Sequence, residues 1–148
     1  MTISKKGLDL IKHFESCHLN AYPCPAGVPT IGWGSTTYPS GGKVKIGDTI
    51  TQQRADDMLK WEVEHRAISV KKLLVNTTVN QNQFDALVSF AYNCGIDNLR
   101  NSTLIKKVRN NPKDPAIRDE FMKWVRARGE VLKGLQRRRK AEADLYFS

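Results

Sequence analysis

The chain has 148 residues, 40% of them apolar and 26% charged, which suits one folded domain with a sizeable core and excludes a disordered or low-complexity polymer. A formal net charge of +9 and a sequence pI near 9.6 point to an anionic partner: nucleic acid, a lipid surface or an acidic wall polymer. The opening stretch, MTISKKGLDLIKHFES, has no apolar run of the length a signal peptide or membrane anchor requires, so the expectation is synthesis in the cytosol without a stable membrane anchor.

Residues 4–15 read as a first helix, with Ile3, Gly7, Leu10, Ile11 and Phe14 at helical spacing. Glu15 follows Ile11 by four residues, at the edge of that apolar stripe. The spacing leaves it open between a proton donor and a last-turn carboxylate with its head in water. Pro23, Pro25 and Pro29 then forbid helix, and Thr30-Ile31-Gly32-Trp33-Gly34 reads as a short strand whose glycines admit a close approach to the backbone. Lys43 to Ile46 alternates as a second strand. A lobe this small cannot fold alone and must lean on a helix.

From Thr51, a suitable N-cap, a long helix is expected over 51–75, with Ala55, Met58, Leu59, Val63, Ala67, Val70 and Leu74 on one stripe. A more apolar helix follows near 80–94, closed by Gly95. Ser102 caps a short helix, and Asp114-Pro115 starts another in the order of cap and first-turn proline. A last helix, about 136–146, carries Arg137, Arg138, Arg139 and Lys140. Cys17, Cys24 and Cys94 form an odd set without a CxxC pair, which argues for a reducing compartment and against a disulfide framework.

Three chemistries compete. Glycoside hydrolysis needs a proton donor and an opposing group that acts on water or on the sugar carbon; Glu15, Cys24 and Thr30, nine and then six residues apart, could supply them across the proline bend. His13, Cys17, His18 and Cys24 offer zinc ligands, at spacings that match no usual pattern. The run Arg137–Lys140 could contact nucleic-acid phosphates, although Glu142 and Asp144 dilute it and a solvated helix face explains it as well. Trp33, Trp61 and Trp124 read as core or interface aromatics.

The stretch G-L-D-L-I-K-H-F-E, then C after eight residues, then T-I-G-W-G after five more, resembles the catalytic segment of the phage-type lysozymes, glycoside hydrolase family 24. Three further blocks are similar to that family in the same order: Gln83–Gly95, Asn101–Leu104 and Gly134–Glu142. The resemblance implies an α+β, mostly helical, lysozyme-like fold. A small N-terminal β-lobe, about residues 16–50, would be joined by a long helix to a helical lobe of 51–148 plus the N-terminal helix, all as one domain of 1–148.

It also implies an endolysin that hydrolyses the β-1,4 bond between N-acetylmuramic acid and N-acetylglucosamine in peptidoglycan, with no cofactor and no metal. A lytic transglycosylase acting on the same bond is the alternative, and a basic nucleic-acid-binding domain the alternative of another class. The expected partner is the bacterial cell wall, with no nucleic acid, reached by a monomer that waits in the host cytoplasm for a holin before entering the periplasm. By resemblance, Glu15 is the general acid, Cys24 stands where the family more often has Asp, and Thr30 positions water. Gly34, Tyr92, Ser102 and Arg137 line the sugar groove, and Arg137 or Arg138 packs near Glu15.

Cys24 is the departure that matters: a free thiol of pKa about 8.5 is only roughly 3% ionised at pH 7, and an ionised Glu15 beside it would raise that pKa further. Ser35 follows Gly34 where the family often has a His, so an ion pair anchored there is expected to be absent.

Overall fold

Helix α3, Gln81–Cys94, is the post around which the other helices pack. Nine consecutive residues, Gln83 to Ala91, are buried, as expected of a helix surrounded on all sides. Asn80 and Gln83 close its start in a reciprocal capping box. The computed structural model describes all 148 residues.

Helix α1, Lys5–Phe14, lies against α3 and is pinned at its start. The fully buried Asp85 of α3 accepts hydrogen bonds from the Ser4 backbone and hydroxyl and from Gln81. The approach is close because Gly7 has no side chain: a Cβ there would stand 2.9 Å from Asp85 Cβ. Glu15 lies one residue past the helix, in extended backbone with its N–H still bonded to the Ile11 carbonyl.

Strands β1, His18–Pro23, and β2, Pro29–Gly32, form an antiparallel hairpin with Tyr22 opposite Thr30. β1 is absent from the sequence reading because none of its residues is buried, so no core-facing run marks it. The strand expected at Lys43–Ile46 is a single bridge, Thr37 to Lys43, with only Val44 buried. Val44, Ile31 and Met58 make a separate small core, so the β-lobe leans on α2, Gln52–Leu73, through Met58.

The remaining helices are α4, Ile96–Arg100; α5, Thr103–Asn110; α6, Ile117–Phe121; and α7, Lys133–Tyr146. A main core of 23 buried residues unites them with α1, α2 and α3. α6 begins after Asp114-Pro115 because the Asp114 carboxylate accepts from the Ala116 N–H in a turn. Besides β1, the sequence reading also lacks α4 and a hairpin of β3, Arg126–Ala127, with β4, Glu130–Val131. The hairpin turns through Arg128 and Gly129, both at positive φ, 52° and 81°, as a two-residue turn requires. α7 starts three residues earlier than expected, and its arginine run is not a solvated face: Arg138 and Arg139 are buried.

Candidate active-site cleft

Two cavities of about 620 and 570 Å³ meet at Glu15, which lines both together with Asn93. The larger opens between the β-lobe and the helices, over Trp33, Gly34, Trp61, Glu62, His65 and Tyr92. The smaller runs towards α7, along His13, Phe14, Leu135 and Arg137. A groove that passes over one carboxylate can lay a polymer across it.

The end of α1 aims Glu15 there, with its side chain 25% exposed and Arg138 Nη1 donating to Oε1 at 2.8 Å. The Arg138 side chain is only 3% exposed and stands over the Phe14 ring. Of the two arginines expected near Glu15, Arg138 makes the ion pair and the exposed Arg137 faces the second cavity.

The wall facing Glu15 is built around Glu62. The Ser35 hydroxyl donates to Glu62 Oε1 at 2.7 Å, and the Tyr92 hydroxyl stands 3.4 Å from Oε2. Burial, reinforced by the negative charge of Glu62 and Glu15, pushes the Tyr92 phenol well above its usual range, so Tyr92 is a neutral donor at every working pH. Gly34 has φ of 109° and open space where a Cβ would be, and a side chain there would be strained and would stand in the cleft. Trp33 is held by its indole N–H donating to Asp56 at 2.9 Å, and that bond is the main cause keeping the Asp56 carboxyl below its usual range.

Cys24 and Thr30 are brought together at the turn of the β1–β2 hairpin. Cys24 opens the turn between β1 and β2, its N–H bonded to the Val28 carbonyl, and Thr30 Oγ1 donates to that same carbonyl at 2.9 Å. Backbone N–H groups of Val28 and Ala26, helped by the Thr30 hydroxyl, hold the Cys24 thiol below the usual thiol range. This corrects the expectation of a raised thiol: turn amides surround the sulfur, and Glu15 is not among the groups that act on it. No hydrogen bond joins Glu15 to Cys24 or Thr30, and neither residue lines the two cavities.

Ser102 lines neither cavity: it is 4% exposed, accepts from the Ile105 N–H and donates to the Leu99 carbonyl, and so caps α5. The four candidate zinc ligands do not converge; no three His, Cys, Asp or Glu side chains are arranged to hold a metal ion.

Glu62, Trp61 and His65 escape a reading centred on the apolar stripe of α2, because they sit beside that stripe. Their signal was the spacing Trp61, Glu62, His65, Arg66, Ser69, a second helical face of polar and aromatic residues. Trp61 is 41% exposed and stacked on His65 at 3.9 Å, not a core aromatic, whereas Trp124 packs against Phe90.

Residues 12–142 match the family described as Phage lysozyme. The chain is 38% identical, over its whole length and 99% of the relative's, to an endolysin of Acyrthosiphon pisum secondary endosymbiont phage 1. It is 40% identical to an endolysin of Bacillus phage PZA, of which it spans 56%. In three dimensions it resembles an endolysin from Escherichia coli O157:H7 phage FAHEc1, with TM-score 0.91 and 38% identity, covering 100% of this chain and 94% of that one.

Proposed function

The chain belongs to the phage lysozyme family, and on that premise we propose that it is an N-acetylmuramidase that hydrolyses the β-1,4 bond between N-acetylmuramic acid and N-acetylglucosamine and so lyses the bacterial host. Neither the transglycosylase nor the nucleic-acid reading is favoured by its relatives. The observation that carries the proposal is Glu15 at the meeting point of two cavities, held by a buried arginine.

In this reading Glu15 is the general acid. A glycan strand lies over it, and its carboxyl proton passes to the glycosidic oxygen as the bond from that oxygen to the anomeric carbon breaks. Water adds its oxygen to the anomeric carbon and gives up a proton, which restores the acid over the cycle. Thr30 orients that water through its hydroxyl, and the Cys24 thiol, held below the usual thiol range by the turn amides, is the group opposite the acid. If the sulfur accepts the water's proton, the product anomer is inverted; if it first bonds to the anomeric carbon, it is retained. Gly34, Tyr92 and Arg137 hold the sugars on either side, supported by their places in the two cavities.

We read 1–148 as one domain, with the β-lobe at about 16–50; the small core on Met58 and the main helical core support that division. The peptidoglycan of the cell wall is the partner. A monomer that waits in the host cytoplasm until a holin opens the membrane belongs to the same proposal, tested by whether expression lyses cells only when a holin is co-expressed. No helix is long and apolar enough to cross a membrane.

Glu15→Gln tests the central assignment. It should fold as the parent does and fail to clear peptidoglycan; substantial remaining clearance removes Glu15 from the acid role. Release of a reducing muramic acid end, in place of a 1,6-anhydro end, identifies the reaction as hydrolysis.

A further inference from the structure

The Arg138 guanidinium is occupied on every side. Nη1 donates to Glu15, Nη2 to the Ser89 carbonyl at 3.3 Å, and Nε to Glu142 Oε2 at 3.3 Å. Glu142 has no exposed surface; it also accepts from the Ser89 hydroxyl at 2.5 Å, and its Oε1 lies 2.8 Å from Arg139 Nε. Arg139, equally buried, continues to Asn93 at 2.6 Å and to the Cys94 sulfur.

Stability is a weak reason for such a cluster. Buried ion pairs give little that well-packed apolar side chains of the same volume would not. The cluster does provide a rigid mount: α7 and α3 fix two edges of one guanidinium, at Nε and Nη2, and its third nitrogen, Nη1, is aimed at Glu15 at the end of α1.

We propose that Glu142 is a positioning residue for the hydrolysis, fixing Arg138 against Glu15 and cancelling one of the two buried arginine charges behind it. The proposal rests on Glu15 being the general acid. Glu15 is faced by Arg138 from α7, Tyr92 from α3 and Glu62 from α2, with His13 on its own helix beside the second cavity. Glu142 is faced by Arg138 and Arg139 on its own helix and by Ser89 and Cys94 from α3. From α6, Arg118 pairs with Asp144 on the exposed side of α7.

The sign of the effect follows. Removing the Glu142 charge leaves two uncancelled guanidinium charges behind Glu15, which favours the ionised carboxylate. An acid that must carry its proton then loses it at lower pH, so the alkaline limb of kcat/KM moves down.

The test measures kcat and KM against pH on soluble peptidoglycan fragments, with near-ultraviolet circular dichroism to establish folding. Glu142→Gln should move the alkaline limb down by roughly one pH unit while KM stays near the parent's. Glu142→Asp keeps the charge but shortens the mount, so the limb should stay while kcat falls roughly tenfold or more. Should Glu142→Gln not fold, Ser89→Ala carries the test: it keeps every charge, frees one side of Glu142, and should lower kcat without moving the limb. An unmoved limb in folded Glu142→Gln, or parental kcat in folded Glu142→Asp or in Ser89→Ala, overturns the proposal. Glu15→Gln run alongside separates the two claims. If it stays active, the acid assignment fails; if it is inactive while the Glu142 and Ser89 variants match the parent, only the positioning role fails.

Discussion

Ser35 and Glu62 join the two lobes across the cleft: the Ser35 hydroxyl, on the loop after β2, donates to Glu62 of α2 at 2.7 Å. Ser35 has no charge for an ion pair, but its hydroxyl is used. A neutral hydroxyl that is 3% exposed holds the carboxylate. Ser35→Ala should therefore lower unfolding stability by about 1.5–3 kcal/mol, the scale of a hydrogen bond to a charged group. Urea unfolding measures it; parental stability would mean the bond contributes nothing net.

Trp61 offers an exposed ring at the cleft wall, stiffened by its stack on His65. A flat apolar face of this kind suits the C–H face of a sugar ring. Trp61→Ala should raise KM roughly fivefold with kcat little changed, corresponding to about 1 kcal/mol of uniform binding. A fall in kcat at constant KM would show that Trp61 acts on the chemistry and not on binding.

The thiol of Cys24 should be unusually reactive. Its proton leaves at lower pH than an ordinary thiol's because turn N–H groups stabilise the thiolate. The thiolate is the form that reacts, so the pH midpoint for alkylation of Cys24 should fall below about 8.5. Thr30→Val removes the hydroxyl beside the sulfur, one of the groups that lower its pKa, and should move that midpoint up. Peptide mass spectrometry separates Cys24 from Cys17 and Cys94, and a midpoint at or above the ordinary value contradicts the geometry.

The same sulfur is tested in activity. Cys24→Asp should retain lysis and Cys24→Ala should lose much of it, because only the first keeps a negative group at the turn. Lysis by Cys24→Ala at the parental rate would reduce Cys24 to a packing residue, and anomeric analysis of the first product distinguishes inversion from retention.

Gly7→Ala should destabilise the fold by about 1–3 kcal/mol, the usual cost of overpacking, since the new Cβ would crowd Asp85 within 2.9 Å. Because α1 carries Glu15, a loss of activity should accompany the lower melting temperature. Unchanged melting would show that α1 and α3 can move apart freely.

Local spacing was enough for much of this protein. The apolar stripe of α2, the caps at Thr51 and Ser102, and the place of Glu15 at the end of α1 are all written within one or two helical turns. The joining of Cys24 to Thr30 across a proline bend is equally short-range. What spacing alone does not encode is which charges are taken out of water. Arg138 and Arg139 look like solvated residues until α3 covers them, and the partner that gives Arg138 its role, Glu15, lies 123 residues away. A buried charge is tolerated only beside its counter-charges, and those come together only once the helices have packed. The sequence by itself determined that a carboxylate ends α1; the tertiary structure decided that two cavities meet over it and that a buried arginine holds it there.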